Sequence, residues 1–257
     1  MKILSLVKAV PATAGGVESA ERRASEFIAN PADITALEEA LSLRDLMGGS
    51  VIVMTMGSEA CENVLRQCLA RGADEAVMLT DRIFSGADTA ATSRTIAEAV
   101  KYIGGFDLIF CGRKTTDGET GQVGPELATR LGLPFAANCT GLEYQDGKLT
   151  CSCLNVWGSE KVRLSVPAVV SFAYGINSPR LASLVGLYRA NRAKIERLDS
   201  KKLNIAPENC GQAGSPTEVI RSFKCPFEKR SAVFLNENEL EKAFSFIRGK
   251  MEEESCT

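Results

Sequence analysis

The feature that most constrains this chain is a repeated exchange between short apolar runs and helical stretches through its first two-thirds. "KILSLVKAV" comes first, then a loop from Pro11 to Asn30. Asn30 and Pro31 mark the start of "ADITALEEALSLRDLM", where Ile34, Leu37, Leu41 and Leu43 recur at near-helical spacing. "SVIVMTMG" is a second strand, and "EACENVLRQCLARG" is an amphipathic helix stopped by Gly72. "EAVMLT" follows as a third strand, "DRIFSGADTAATSRTIAEAVKYIG" as a loop and helix, and "FDLIFCG" as a fourth strand. Strands this short and apolar, alternating with helices, predict an α/β fold: an open, mostly parallel sheet with flanking helices and right-handed crossovers. In such sheets ligands bind outside the carboxyl ends of the strands. The polar loops Ala9–Gly16, Met56–Glu59, Asp81–Ser93 and Gly112–Gly124 all fall there.

After Pro134 the pattern turns β-rich. Asp146-Gly147 between "LEYQ" and "KLTC" signals a hairpin, so antiparallel strands are predicted near 139–145, 148–156 and 160–165, a small insertion before "AVVSFAY" returns to the sheet. "NSPRLASLVGLYRANRAKIERLD" reads as an exposed basic segment with a short helix. From residue 197 on, Pro and Gly turns precede an amphipathic helix, "ENELEKAFSFIRGKM". These boundaries predict a nucleotide-binding domain over 1–196 and a C-terminal arm over 197–257 that needs a partner to lie on.

The turn in "IFCGRKTTDGETGQVGPELATRLGLP" carries the clearest chemistry. Pro125 suits the first turn of a helix whose inner face would carry Val123, Leu127 and Leu131. Free N–H groups at such a helix entrance attract phosphate or another anion, whereas Thr116, Asp117 and Gly118 are equally suited to an ordinary strand-to-helix turn. Neither a G-x-G-x-x-G after the first strand nor a P-loop sequence is present.

Composition removes several functions. Thirty basic and 32 acidic residues give a net charge of −2, which draws the chain neither to nucleic acid nor to an anionic membrane. No apolar run reaches the roughly 18 residues of a membrane span, and "MKILSLVKAV" reads as a buried strand rather than a leader. Histidine is absent, which excludes Ser-His or Cys-His nucleophilic catalysis within this chain. Nine cysteines, an odd number, suggest reduced thiols in the cytosol. Cys151 and Cys153 would face one side of a strand, but without histidine or a second close pair they make a poor zinc site.

The assembled segments resemble the small (beta) subunit of electron-transfer flavoproteins, including the FixA-like proteins. "MKILSLVKAVP", "NPADITALEEAL", "VIVMTMGSE", "RGADEAVMLTDRIFSGADTAATSRTIA", "CGRKTTDGETGQVGPELATRLGLP", "INSPRLASLVGL" and "GSPTEV" carry the resemblance across nearly the full chain. It implies a heterodimer with a larger alpha subunit and soluble electron transfer among redox partners. It also implies an adenine-nucleotide crevice that holds AMP in ordinary members. In electron-bifurcating members the crevice holds a second FAD, which receives a hydride from NADH. "DRIFSGADTAATS" and "DGETGQVGP" look closer to the bifurcating type, so FAD is the leading expectation and AMP the alternative.

By match to family segments, Ala9, Asp33, Met56, Gly57, Gly121, Gln122, Val123 and Gly124 are expected around the nucleotide, with Thr92 and Ser93 near the diphosphate. Thr120 can add a directed hydrogen bond. Asp33 could accept from ribose or adenine, or simply cap its helix. Leu184 resembles an apolar anchor for a flavin-containing dehydrogenase, with Arg180, Arg189 and Arg192 orienting the approach. Ferredoxin or flavodoxin is the implied low-potential acceptor. The chain departs from its relatives at Ser178, where an acidic residue is usual, and in a shorter loop after Val10-Pro11. No residue reads as a chemical catalyst, since a flavin would supply the redox chemistry. Two other classes stay open, a non-redox assembly protein completed by AMP and a regulatory nucleotide-binding module.

Overall fold

The computed structural model describes residues 1–12, 27–221 and 238–254, the side chains of 249–254 excepted. It divides into a unit Met1–Ile220 and a second unit Arg221–Thr257. In the first unit the chain runs β1 (Lys2–Leu6), β2 (Ala9–Pro11), β3 (Phe27–Ala29), α1 (Pro31–Met47), β4 (Ser50–Met56), α2 (Glu62–Arg71), β5 (Glu75–Leu79), α3 (Thr89–Ile103) and β6 (Leu108–Gly112). It continues through α4 (Val123–Leu131), β7 (Phe135–Gln145), β8 (Lys148–Asn155), β9 (Gly158–Ser165), β10 (Ala168–Phe172), α5 (Leu184–Arg192) and β11 (Ile195–Leu198). The second unit holds α6 (Leu240–Glu254).

One sheet, in the order β11-β5-β4-β1-β6-β10-β7-β8-β9, organises the first unit. Strands β11 through β7 pair in parallel, while β7, β8 and β9 form the antiparallel insertion. Successive residues of a strand feed opposite faces, which is why the strands are apolar throughout. Ile3, Val51, Phe110 and Val170 pack under α1 and α2, whereas Leu4, Ile52, Ile109 and Val169 pack under α3 and α4. Local signals set the helix ends: Pro31 opens α1, Asp88 caps α3 by accepting from the Ala91 N–H at 2.9 Å, and Gly72 and Gly132 end α2 and α4 at positive φ.

Three short strands, β2, β3 and β11, are not separate elements in the sequence reading. Part of the Pro11–Asn30 connection forms a ribbon, with Ala9, Val10 and Pro11 opposite Ala29, Ile28 and Phe27; residues 13–26 lie outside the described residues. The basic segment also continues past its helix into β11, which adds to the sheet edge beside β5. Three- or four-residue strands have too little periodicity to announce themselves, and their partners are distant in sequence. Cys139, Cys151 and Cys153 are buried together in the core beneath the insertion, and Cys225 and Cys256 lie outside the described residues.

Candidate functional site at the carboxyl end of the sheet

The strand order reverses beside β1: the chain first builds outward through β4 and β5, then returns to place β6 on the other flank. Loops diverge at such a point and leave a crevice. Here it is a cavity of about 1100 Å³ lined from the ends of β1, β4, β5 and β6.

Asp33 sits at the base of the crevice and is 4% exposed. It does not cap its own helix, since α1 has no side-chain cap. One carboxylate oxygen accepts the Lys8 N–H and the other the Gly112 N–H, each at 2.8 Å, so a single side chain ties the ends of β1 and β6. Gly112 is required by that approach, because a Cβ there would lie 2.6 Å from the Asp33 oxygen. Burial pushes the Asp33 carboxyl up to about 6, against the opposing pull of the two backbone N–H groups, Asn30 and Lys8.

The polar turn after β6 is tethered on its outer side. Asn30, fully buried, donates to the Lys114 carbonyl and accepts from the Thr116 N–H, and Lys8 pairs with Asp117 at 2.7 Å. Asp117 also accepts the Gly118 N–H, so it serves as a turn residue as well. Gly121 then takes a left-handed conformation (φ 65°) that turns the chain into α4. No side chain caps α4. Its first-turn N–H groups therefore open toward the crevice that Gly121, Gln122, Val123 and Gly124 line. The start of α3 opens on the same space through Thr89 and Thr92, and the Thr89 hydroxyl donates to Glu126 at 3.0 Å and lies 3.2 Å from the Gln122 side chain.

Nine of the eleven residues expected around a nucleotide thus line one cavity: Asp33, Met56, Gly57, Thr92, Thr120 and Gly121–Gly124. Ala9 and Ser93 do not. Ala9 is occupied in the β2–β3 ribbon, and its neighbour Lys8 faces the crevice instead. Ser93 is fully buried and turned toward α4, where its hydroxyl donates to Glu126 and accepts from Arg130, both at 2.9 Å. Sequence reasoning missed Lys8, Arg82 and Asn30. Lys8 and Asn30 could have been found as polar residues flanking the first strand and first helix, but their partners Asp117, Lys114 and Thr116 lie far along the chain.

At the expected docking segment, Leu184 is 87% exposed at the start of α5, whose N-terminus Ser183 caps by accepting the Gly186 N–H at 2.9 Å. Arg192 stacks on Tyr188, its guanidinium 4.1 Å from the ring centre. Arg180 is committed within the molecule, to Glu38 at 2.9 Å and Asp45 at 2.8 Å.

Residues 19–203 match the electron transfer flavoprotein domain. The chain belongs to the electron transfer flavoprotein family. Within it, the relatives identify the chain as a beta subunit. It is 35% identical over 240 residues to the electron transfer flavoprotein subunit beta of Thermoanaerobacterium thermosaccharolyticum, covering 91% of this chain and 92% of that one. It is 40% identical over 200 residues to the caffeyl-CoA reductase-Etf complex subunit CarD of Acetobacterium woodii, covering 77% and 76%. Identity to Protein FixA of Rhizobium meliloti is 40% over 210 residues, covering 79% and 72%. A beta subunit of this family acts in electron transfer, and among the described residues no helix is long and apolar enough to cross a membrane.

Proposed function

We propose that this chain is the beta subunit of an electron-bifurcating electron transfer flavoprotein, with a second FAD in the crevice, NADH as transient hydride donor, and an alpha subunit as permanent partner. The observation that carries this reading is the crevice itself. Two helix starts open on one space of about 1100 Å³, just above the usual range for small-molecule sites and roomy enough for a dinucleotide.

The donor set suits a dinucleotide. Uncapped N–H groups of α4 can hold phosphate oxygens, Thr92 and Thr120 can add hydroxyl hydrogen bonds, and Arg82 and Arg113 line the space to offset anionic charge. Leu6, Met54 and Ile96 supply apolar wall for a ring system. The bound flavin would supply hydride and one-electron chemistry. The chain's own part is to bind, orient and keep water from the ring.

Onward transfer would run to an acyl-CoA-type dehydrogenase that docks on Leu184, and to a low-potential acceptor such as ferredoxin or flavodoxin. The name of the caffeyl-CoA reductase complex relative supports the acyl-CoA class of partner. The arm reading rests on α6, where Leu240, Phe244 and Ile247 fall on one helical stripe and are all exposed, an apolar face suited to an alpha subunit. The seven cysteines among the described residues are free and buried, which fits a reducing cytoplasm.

The test is a cofactor count. The heterodimer, purified gently, saturated with FAD and freed of unbound ligand, should release two FAD molecules by mass spectrometry. One FAD and one AMP would reject bifurcation at this crevice and leave conventional electron transfer with a structural AMP. Gly121→Val should remove the crevice FAD alone, because φ 65° excludes a branched side chain and a Cβ there already lies 3.0 Å from the Arg113 carbonyl.

A further inference from the structure

The segment that leads into Leu184 is fastened to α1 more firmly than a surface loop requires. Arg180 is gripped at every polar group it has. Its N–H donates to Glu38 at 2.8 Å, and its guanidinium forks onto Glu38 at 2.9–3.1 Å and reaches Asp45 at 2.8 Å. Its carbonyl accepts from Arg71 of α2 at 2.6 Å. Three residues earlier, the Asn177 amide donates to the Thr35 carbonyl at 3.0 Å and to Glu39 at 2.7 Å.

Glu38 is the centre of this arrangement. It is only 9% exposed, an unusual place for a carboxylate, and it accepts hydrogen bonds from Arg180 and from Ser42 one turn on. Burial alone would raise its pKa, but the Arg180 hydrogen bonds and charge outweigh that and hold it below the ordinary carboxylate value. On the far side, Gly186 seats α5 directly on α2, since a Cβ there would fall 2.1 Å from the Ala70 carbonyl. Between these fixed points Leu181 and Leu184 stand 84% and 87% exposed. A fold gains nothing for itself by holding two leucines out in water on a rigid mount. A docking site does, because ordering the contact beforehand lowers the entropy lost on association.

We infer that Glu38 is a positioning residue for dehydrogenase docking: through Arg180, and with Glu39 holding Asn177, it presents Leu181 and Leu184 in the conformation the partner meets. This rests on the reading of Leu184 as the docking anchor. The same helix carries Asp33 at the crevice, so cofactor site and docking ridge share one rigid mount.

The test compares Glu38→Gln, Asn177→Ala, Leu184→Ala and the double variant E38Q/L184A in the FAD-saturated heterodimer, with butyryl-CoA dehydrogenase as the probe partner. Electron transfer is followed as a function of dehydrogenase concentration. E38Q should raise the half-saturating concentration about tenfold and leave the limiting rate and flavin content near wild type, with N177A milder in the same direction. Added to L184A, E38Q should have little further effect, because both act on one contact. Amide exchange should quicken at 177–188 and nowhere else. If L184A raises half-saturation and E38Q does not, the clamp is wrong and the anchor stands. If L184A changes nothing, or the wild-type heterodimer transfers no electrons to the probe, the anchor fails and the clamp's docking role with it. A joint fall in limiting rate and flavin content in both E38Q and N177A would make Glu38 a general stability residue and overturn the proposal.

Discussion

Asp33 illustrates how one side chain at a ligand crevice can serve the backbone. Parallel strands ending at a crevice leave N–H groups without sheet partners, and a carboxylate has two oxygens to offer them. Ionised Asp33 makes both bonds at 2.8 Å but sits where charge is costly, which raises its pKa from 3.8 to about 6. The native state therefore holds a proton more tightly than the unfolded chain. Its contribution to stability is complete below about pH 4, falls as pH rises toward 6, and is flat above, a span of about 3 kcal/mol. Asp33→Asn cannot ionise, so the stability difference between wild type and D33N should change by about that amount between pH 4 and pH 7. Urea midpoints at several pH values would show it, and parallel curves would mean that Asp33 is not buried as a carboxylate.

At the scale of elements, the two helix starts that open on the crevice are aligned by a polar lock behind it. Ser93 and Thr89 of α3 both donate to Glu126 of α4, and Arg130 donates to Ser93 and to the Ala90 carbonyl. Thr92, one position from Ser93, lies on the opposite side of this division and faces the cavity. Removing the Ser93 hydroxyl takes away a hydrogen bond to the half-buried Glu126 carboxylate and one from the guanidinium of the exposed Arg130. Ser93→Ala should lower folding stability by about 1–3 kcal/mol in denaturant titrations. Thr92→Ala should leave stability within about 0.5 kcal/mol and instead weaken FAD retention. The reverse pattern would return Ser93 to the ligand and reassign Thr92 to the core.

For the whole molecule, the sheet divides two tasks. Its carboxyl edge gathers the crevice, while α1 and α2 on one face carry the mount for the docking segment. The unit Met1–Ile220 has its own double-faced core, which extends through Leu198, Leu203, Ile205 and Cys210. A chain ending at Ile220 should therefore fold, with circular dichroism and thermal midpoint close to the full chain, yet fail to form a stable heterodimer by light scattering. Loss of cooperative unfolding in that truncation would show that the arm belongs to the core, and undiminished heterodimer formation would show that it is not the alpha-subunit contact.

Periodicity made the main elements legible from sequence alone. Buried strands such as "SVIVMTM" must be apolar on both faces, and helices such as Glu62–Arg71 must show one apolar stripe, so α1 to α5, the central strands and the Asp146-Gly147 hairpin were readable with their order. That order also placed the polar loops at one edge. What periodicity cannot carry is which polar group meets which across the fold. Asp33 reads as a helix cap or a ligand contact, and its tie between strands is visible only once Lys8 and Gly112 are brought beside it by the parallel pairing of β1 and β6. Ser93 and Thr92 are adjacent in sequence, and only the packing of α4 against α3 turns one inward and leaves the other on the crevice. Arg180 reads as a free surface charge because Glu38 is 142 residues away in sequence. Local pattern thus set which segments form and what each can bury, whereas the pairing of polar groups, which depends on three-dimensional proximity and on burial, was decided by the tertiary structure.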